Sequence, residues 1–397
     1  MIIGIVGKPS CGKSTFFKAA TLMDVDIANY PFTTIKPNSG VTYVRVPCAC
    51  QFFHVKCNPR HGYCKGGIRY VPVQIIDVAG LVPDAHLGKG RGNQFLNDLN
   101  QADVLIHVVD ISGSLNAQGE SVDTGSYNPI KDIRFLEIEI DYWYLDILKR
   151  GWDRFARQIQ QEHQDIKRAI AKQMSSMKVT EQMTEELLRK LGLEGKLITT
   201  WSEDELLTLA TEFRRRTKPM IIAANKIDVK GGKENFERVQ KEFPHLLMFP
   251  CSAESELALR EADKHEIIQY YPGSNAFTAK KELNDKQQQA LDFIQQHILS
   301  TFGSTGVQNV LDKSIFDLLK YIAIFPGGMG KLQDQDGNVL PDCFLLPPGS
   351  TALDFAFKIH SDLGNNFVKA MDVKRKLPVG KEHKLLHGDV VEIMARK

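Results

Sequence analysis

The 397-residue sequence lacks an excess of either charge: 50 Lys and Arg stand against 48 Asp and Glu, a net charge of +2. Affinity for nucleic acid would therefore need a local patch, because the overall field supplies none. The sequence lacks any apolar run long enough to span a bilayer. It opens on Met1-Ile2-Ile3-Gly4-Ile5-Val6 without a basic leader or cleavage site, so a cytoplasmic location and no membrane partner are expected. It lacks internal repeats and low-complexity tracts, and 43% hydrophobic with 25% charged residues gives no compositional case for a disordered or fibrous chain. Seven cysteines in a chain of this kind do not predict a disulfide framework. The length calls for two or three domains.

What is present begins with alternation. Ile2–Val6, Val71–Ile76, Val104–Val109, Met220–Ala224 and Leu246–Phe249 read as short buried strands, separated by helical patterns such as Ser14–Ala20. That rhythm predicts an α/β fold with a mainly parallel sheet covered by helices on both faces. From about Asn128 to Arg216 the rhythm breaks. Phe135, Ile138, Tyr142, Leu145 and Leu148 fall at helical spacing, and the polar run Gln158–Gln173 continues without Pro or Gly, which predicts one long amphipathic helix. Helices over Glu181–Leu191 and Asp204–Arg215 follow, so the segment reads as a helical insertion. From Ile322 onward short strands, Gly and Pro turns and a single helix over Ala352–Leu363 predict a small α+β module. The expected division is a discontinuous α/β domain over 1–111 and 218–320, a helical insertion over 112–217 and a C-terminal module over 321–397.

The chemistry is carried by Gly7-Lys8-Pro9-Ser10-Cys11-Gly12-Lys13-Ser14-Thr15, which matches the P-loop pattern between a predicted strand and a predicted helix. Its backbone amides, from Gly7 and Ser10 through Thr15, can cradle phosphates. Lys13 would reach the β- and γ-phosphate oxygens and the Ser14 hydroxyl would ligate magnesium at the positive end of the helix. The base is chosen by Asn225-Lys226-Ile227-Asp228. The Asp228 carboxylate suits the two donors of guanine, whereas adenine presents an acceptor there. Ser252 and Ala253, in Cys251-Ser252-Ala253, match the loop that supports guanine O6. Asp77-Val78-Ala79-Gly80 supplies Asp77 for the magnesium shell and the Gly80 amide for the γ-phosphate. Leu81 follows where a glutamine would orient the attacking water, so slow intrinsic GTP hydrolysis is expected.

Cys48, Cys50, Cys57 and Cys64 form a C-x-C-x6-C-x6-C cluster outside the standard zinc spacings. Four thiolates on so short an excursion can close a tetrahedral structural site; paired disulfides and inert thiols are the alternatives.

Three stretches resemble the Obg and YchF superfamily of translation-related GTPases. These are Asn29-Tyr30-Pro31-Phe32-Thr33-Thr34-Ile35-Lys36-Pro37-Asn38, the segment from Asp77 to Leu99 with Gly88-Lys89-Gly90-Arg91-Gly92, and the C-terminal stretch from Leu346 to Gly364 with His387-Gly388-Asp389-Val390-Val391-Glu392-Ile393. The resemblance assigns the magnesium-ligating threonine to Thr34 and, with Lys13 and Gly80, completes the catalytic set. It implies a P-loop NTPase core, a coiled-coil helical insertion, a β-grasp TGS domain, and ribosome or RNA as partner. YchF itself carries an altered guanine-reading motif and prefers ATP; the intact motif here favours GTP and resembles the archaeal and fungal branch. Relatives that use potassium carry asparagine where this chain has Ser10, which leaves K+ as an open cofactor. An ATPase or metabolic nucleotide enzyme, or a nucleotide-stabilised scaffold, are the competing functional classes.

Overall fold

The computed structural model describes residues 1–22, 38–78, 98–334 and 336–396. Within them the strands run β1 (Ile2–Val6), β2 (Ser39–Pro47), β3 (Tyr63–Lys65), β4 (Ile68–Asp77), β5 (Val104–Asp110), β6 (Met220–Asn225), β7 (Leu247–Pro250), β8 (Ile268–Tyr270), β9 (Phe277–Ala279), β10 (Ile322–Pro326), β11 (Phe344–Leu346), β12 (Phe367–Asp372), β13 (Leu377–Val379) and β14 (Val390–Ala395). The chain divides into two compact units: Met1–Thr15 with Ile76–Ser252, and Phe16–Ile75 with Ala253–Lys397.

The first unit is built on four parallel strands. β5 pairs with β1 (Ile3 opposite Val104) and with β6 (Leu105 opposite Met220), and β6 pairs with β7 (Ile221 opposite Leu247). β5 is buried along its whole length, as its mainly apolar sequence, Val104-Leu105-Ile106 and Val108-Val109 around His107, requires for a strand covered on both faces. The helix Ile130–Leu148 packs on Glu203–Thr217. Arg214, 3% exposed, lies between them and donates to Asp141 (2.7 Å) and Glu137 (3.2 Å), and the Tyr144 and Thr217 hydroxyls meet at 2.6 Å. Glu203–Thr217 is locally self-consistent: Ser202 and Glu205 form a capping box, its first turn is acidic and its last turn carries Arg214, Arg215 and Arg216.

The expected long helix is not continuous. It is three helices, Ile130–Leu148, Trp152–Gln161 and Ile166–Gln173. Gly151 takes a left-handed φ of 67° at the first break, and His163 has φ 49° before Asp165 caps the third helix. The expected apolar face holds at Leu145 and Leu148, which are buried, and is shifted earlier in the helix: Ile138 and Tyr142 are exposed, while Ile133, Leu136, Ile140 and Tyr144 are buried, because packing on Glu203–Thr217 selects the adjacent stripe.

In the second unit β3 and β4 form an antiparallel hairpin beside β2. Arg45 on β2 is held by Asp312, through its backbone amide (2.8 Å) and its Nε (2.8 Å). In the helix Ala253–Lys264, Glu256 accepts from Arg260, Tyr270 and Thr305, so its buried charge is fully paired. The C-terminal strands form a mixed five-stranded sheet in the order β11-β10-β14-β12-β13, with β10 and β14 parallel. Ile324, Leu346, Phe355, Ala370 and Val391 fill the core between this sheet and the helix Ala352–Ile359. The single helix expected over Ala352–Leu363 ends at His360, which adopts extended backbone before the short helix Ser361–Asn365. Among the described residues no helix is long and apolar enough to cross a membrane.

His107 on β5 is 3% exposed and its Nδ1 has no hydrogen-bond partner. Burial, and then the charge of Lys8, lower its pKa to about 3. The unfolded chain takes up a proton near pH ~6.5 but the folded chain does not, so stability is lost as pH falls from that value towards the folded pKa. Going from pH 7 to pH 5 should cost about 2 kcal/mol through this group alone. Urea unfolding of the parent and of His107→Leu at both pH values should show the smaller acid loss in the variant.

Candidate nucleotide site

The four parallel strands of the first unit present their C-terminal ends on one edge, where loops from different strands can meet. The loop after β1 is Gly7 to Gly12, and it leads into the helix Lys13–Thr21. That helix has no acidic residue in its first turn, so its positive end is left for an anion. Gly7 is dictated by close approach, since a Cβ there would stand 2.6 Å from the Val108 carbonyl oxygen. Gly12 is dictated twice over: its φ is +94°, and a Cβ would lie 2.1 Å from Nδ2 of Asn225.

Asn225 ends β6 and is 4% exposed; its Nδ2 donates to the Cys11 carbonyl at 2.9 Å. The loop after β6 is thereby tied to the loop after β1. Lys226 adopts a left-handed φ of 61°, and its Nζ lies 3.2 Å from Asp110 Oδ2. The Cys251 amide donates to the Ala224 carbonyl (2.9 Å) and Ile227 N donates to the Cys251 carbonyl (3.1 Å), which sets Cys251-Ser252 beside the Asn225 loop. Asp228 is half-buried at the turn. Ala253 opens the next helix.

Lys13 Nζ donates to Asp77 Oδ1 (2.8 Å) and to the Val78 carbonyl (3.0 Å). Ser14 is exposed on the first helical turn and Thr15 and Ser10 lie nearby in sequence, Ser10 with a φ of 62°. The Cys11 thiol is buried, and burial pushes its pKa up to about 11, so it stays protonated and is no nucleophile near neutral pH. Thr34, Gly80 and Leu81, like the glycine-rich segment Gly88–Gly92, lie outside the described residues. The four clustered cysteines belong to the second unit.

Two groups at this site were not singled out from the sequence. Asp110, at the end of β5, is 1% exposed and accepts from the Ser112 amide (3.1 Å) and hydroxyl (2.6 Å), the Ser114 hydroxyl (2.9 Å) and Lys226. A carboxylate closing a mainly apolar, wholly buried strand was the available signal. Lys8 turns away from the phosphate loop: its Nζ lies 2.7 Å from Asp132 Oδ2, donates to the Leu115 carbonyl (3.0 Å) and sits 4.0 Å above the Tyr127 ring. Burial raises the Asp132 pKa, although Lys8 and the Tyr127 hydroxyl, which donates at 2.8 Å, oppose the shift.

Known families match the chain in three places: a 50S ribosome-binding GTPase domain over residues 2–137, the G4 motif-containing domain of Obg-like GTPases resembling YGR210 over 223–327, and a TGS domain over 330–395. A GTP-binding protein of Methanocaldococcus jannaschii is 45% identical over 99% of both chains. One of Schizosaccharomyces pombe is 37% identical over 89% of this chain and 88% of its own. The crystal structure of a GTP-binding protein from Pyrococcus horikoshii superposes with a TM-score of 0.79 at 39% identity, covering 100% of each chain. The ribosome-binding ATPase YchF of Escherichia coli is 27% identical over 93% of this chain and 87% of its own. The chain belongs to the YchF family of Obg-like GTP-binding proteins, with a P-loop α/β core and a C-terminal TGS domain.

Asn225→Ala would leave the buried Cys11 carbonyl without this donor, at a cost of about 1–3 kcal/mol. GTP and GDP affinity should both fall roughly 10- to 100-fold, measured by titration with a fluorescent nucleotide. Unchanged affinity in a folded variant would show that the tie does not preorganise the loop.

Proposed function

We propose that the chain is a guanine-nucleotide switch that binds GTP with magnesium, hydrolyses it slowly and signals its bound state to a ribosome or another RNA. The observation that carries this reading is the intact Asn225-Lys226-Ile227-Asp228 loop, fastened to the phosphate loop by the bond from Asn225 to the Cys11 carbonyl. Asp228 would accept from guanine N1–H and the 2-amino group, and adenine cannot satisfy it. Ser252 and Ala253 would support the base through their backbone.

The Lys13–Asp77 pair suits a change of partners. Nucleotide phosphate would draw Lys13, and Asp77 would be released towards the metal. The donor set of Ser14 hydroxyl, Thr34 hydroxyl and Asp77 carboxylate consists of hard oxygens and fits magnesium. Magnesium, when bound, neutralises charge on the β- and γ-phosphates. The chain's own part is to position: the amides of Gly7, Ser10, Cys11, Gly12 and Thr15 cradle phosphate, Lys13 compensates charge and Gly80 meets the γ-phosphate. Leu81 has no polar group with which to orient water, which supports slow turnover. Potassium is not part of the proposal, because Ser10 offers only a short hydroxyl where potassium-using relatives have an amide carbonyl.

The working division keeps the nucleotide domain at 1–111 and 218–320, the helical insertion at 112–217 and the TGS-like domain at 321–397. The name of the Escherichia coli relative, a ribosome-binding ATPase, supports a ribosomal partner and a cytoplasmic location. The basic run Lys374-Arg375-Lys376 contributes less to an RNA surface than its sequence suggests. Lys374 donates to the Gly388 carbonyl at 2.6 Å and Arg375 lies 3.5 Å from Asp372.

Three measurements test the reading. Competition binding should rank GTP and GDP well above ATP, and Asp228→Asn should move preference towards xanthosine triphosphate; equal ATP binding by the parent would return the chain to the ATPase class. Lys13→Ala should lose measurable turnover in a phosphate-release assay. Ribosome or RNA affinity at fixed salt should be about 5- to 150-fold higher with a non-hydrolysable GTP analogue than with GDP, and equal affinities would leave only a nucleotide-stabilised scaffold.

A further inference from the structure

The excursion between β2 and β4 has little regular structure to hold it. It consists of the short helix Ala49–Phe53, an irregular stretch over 54–62 and the three-residue β3. Cys48 precedes the helix, Cys50 lies in its first turn, Cys57 is in the irregular stretch and Cys64 is the middle residue of β3. These four sulfurs converge, all within 4.8 Å of one another, with Cys48–Cys57 at 3.7 Å and Cys50–Cys64 at 3.9 Å. All seven cysteines of the chain are free thiols, and these separations are well beyond the disulfide bond length of about 2.0 Å.

The spacing matches one metal ion. Four sulfurs at about 2.3 Å from a central zinc stand about 3.8 Å apart along each edge of the tetrahedron. A polynuclear iron–sulfur cluster places several irons between its cysteines and needs a wider cage.

A second observation is independent of the sulfurs. Arg69, on β4, is 0% exposed. Its Nη2 donates to the Leu340 carbonyl at 2.8 Å and lies 3.6 Å from Cys48 Sγ, while its Nε and Nη1 have no hydrogen-bond partner. A guanidinium cannot shed its proton, and a buried charge without a counter-charge costs several kcal/mol. Four neutral thiols provide no counter-charge. A zinc ion that takes up four thiolates carries a net charge of minus two, and the four displaced protons pass to solvent.

The same excursion is bonded to the TGS segment at Asp334 and over 339–342. Asn58 N donates to the Val339 carbonyl (3.1 Å), Asn58 Oδ1 accepts from Val339 N (2.5 Å) and Arg60 N donates to the Pro341 carbonyl (2.9 Å). Arg60 also pairs with Asp334 (2.9 Å) and Asp342 (3.5 Å). We infer that Cys48, Cys50, Cys57 and Cys64 hold one structural zinc ion, and that this ion keeps the excursion in the shape that docks Asp334 and residues 339–342 of the TGS domain. Zinc occupancy then controls TGS docking, separately from nucleotide chemistry.

The full chain, purified without chelator and with zinc in the medium, should carry about one zinc per molecule by elemental analysis. Cys64→Ser should lose it. Because that variant can also misfold, the parent is treated with a mercurial in the presence of a chromophoric zinc indicator, and should release one zinc as the four thiols react. Arg69→Met should weaken zinc binding at least about tenfold in chelator competition. Removing zinc should speed amide hydrogen exchange at Arg60 and Val339 at least about tenfold and leave Ala370, on the interior strand β12, unchanged. Iron in place of zinc, or no metal together with four freely reactive thiols in the native protein, would overturn the site. Bound zinc whose removal leaves Arg60 and Val339 exchange unaltered would overturn the docking role.

Discussion

One hydrogen bond organises the nucleotide end of this molecule: the Asn225 side-chain amide on the Cys11 carbonyl, across 214 residues of chain. It can form because β1 and β6 both flank β5 in parallel register, so that the loops beyond Val6 and Asn225 leave the sheet on the same edge. It also leaves no room for a side chain at residue 12, which explains the glycine there from both sides. The loop proposed to read the base and the loop proposed to hold phosphates are therefore parts of one bonded object. The strand order, the buried length of β5 and the left-handed turn at Lys226 all serve that junction.

Much of this was legible from local pattern. The apolar runs gave β1 to the residue, and β5, β6 and β7 to within a residue at each end, because a strand buried on both faces carries few polar residues to blur it. The helical segment was less legible. A helix continuing past Leu148 and a helix restarting after Gly151 have nearly the same periodicity, and only the left-handed glycine and the packing partner distinguish them. Long-range charge pairs were not legible at all. Nothing near Lys8 in sequence announces Asp132, and nothing near Asp110 announces Lys226. The cysteine spacing fell outside familiar patterns because the β3–β4 hairpin, rather than a compact knuckle, returns Cys64 to the others.

The buried cations settle their charge in different ways. Arg214 is shared by Asp141 and Glu137, Arg260 by Glu256, and Lys8 by Asp132. Lys218, 1% exposed, has backbone carbonyls of Asn100 and Ala102 instead, and burial lowers its pKa to about 8, so it can give up its charge. Arg69 has neither a carboxylate partner among the described residues nor that escape. Its neighbours are sulfurs, and their protonation decides whether this corner of the second unit is balanced.

The pairing of Lys8 with Asp132 has a consequence for how ligand arrives. A phosphate loop with two outward lysines would draw a polyanion from a distance, and its capture rate would fall steeply with ionic strength. Here one of the two is neutralised within 2.7 Å by a carboxylate on the helix Ile130–Leu148. Lys13 is likewise paired, with Asp77 at 2.8 Å, so long-range attraction rests mainly on the helix end, and encounter is governed more by diffusion and loop geometry than by the surrounding salt.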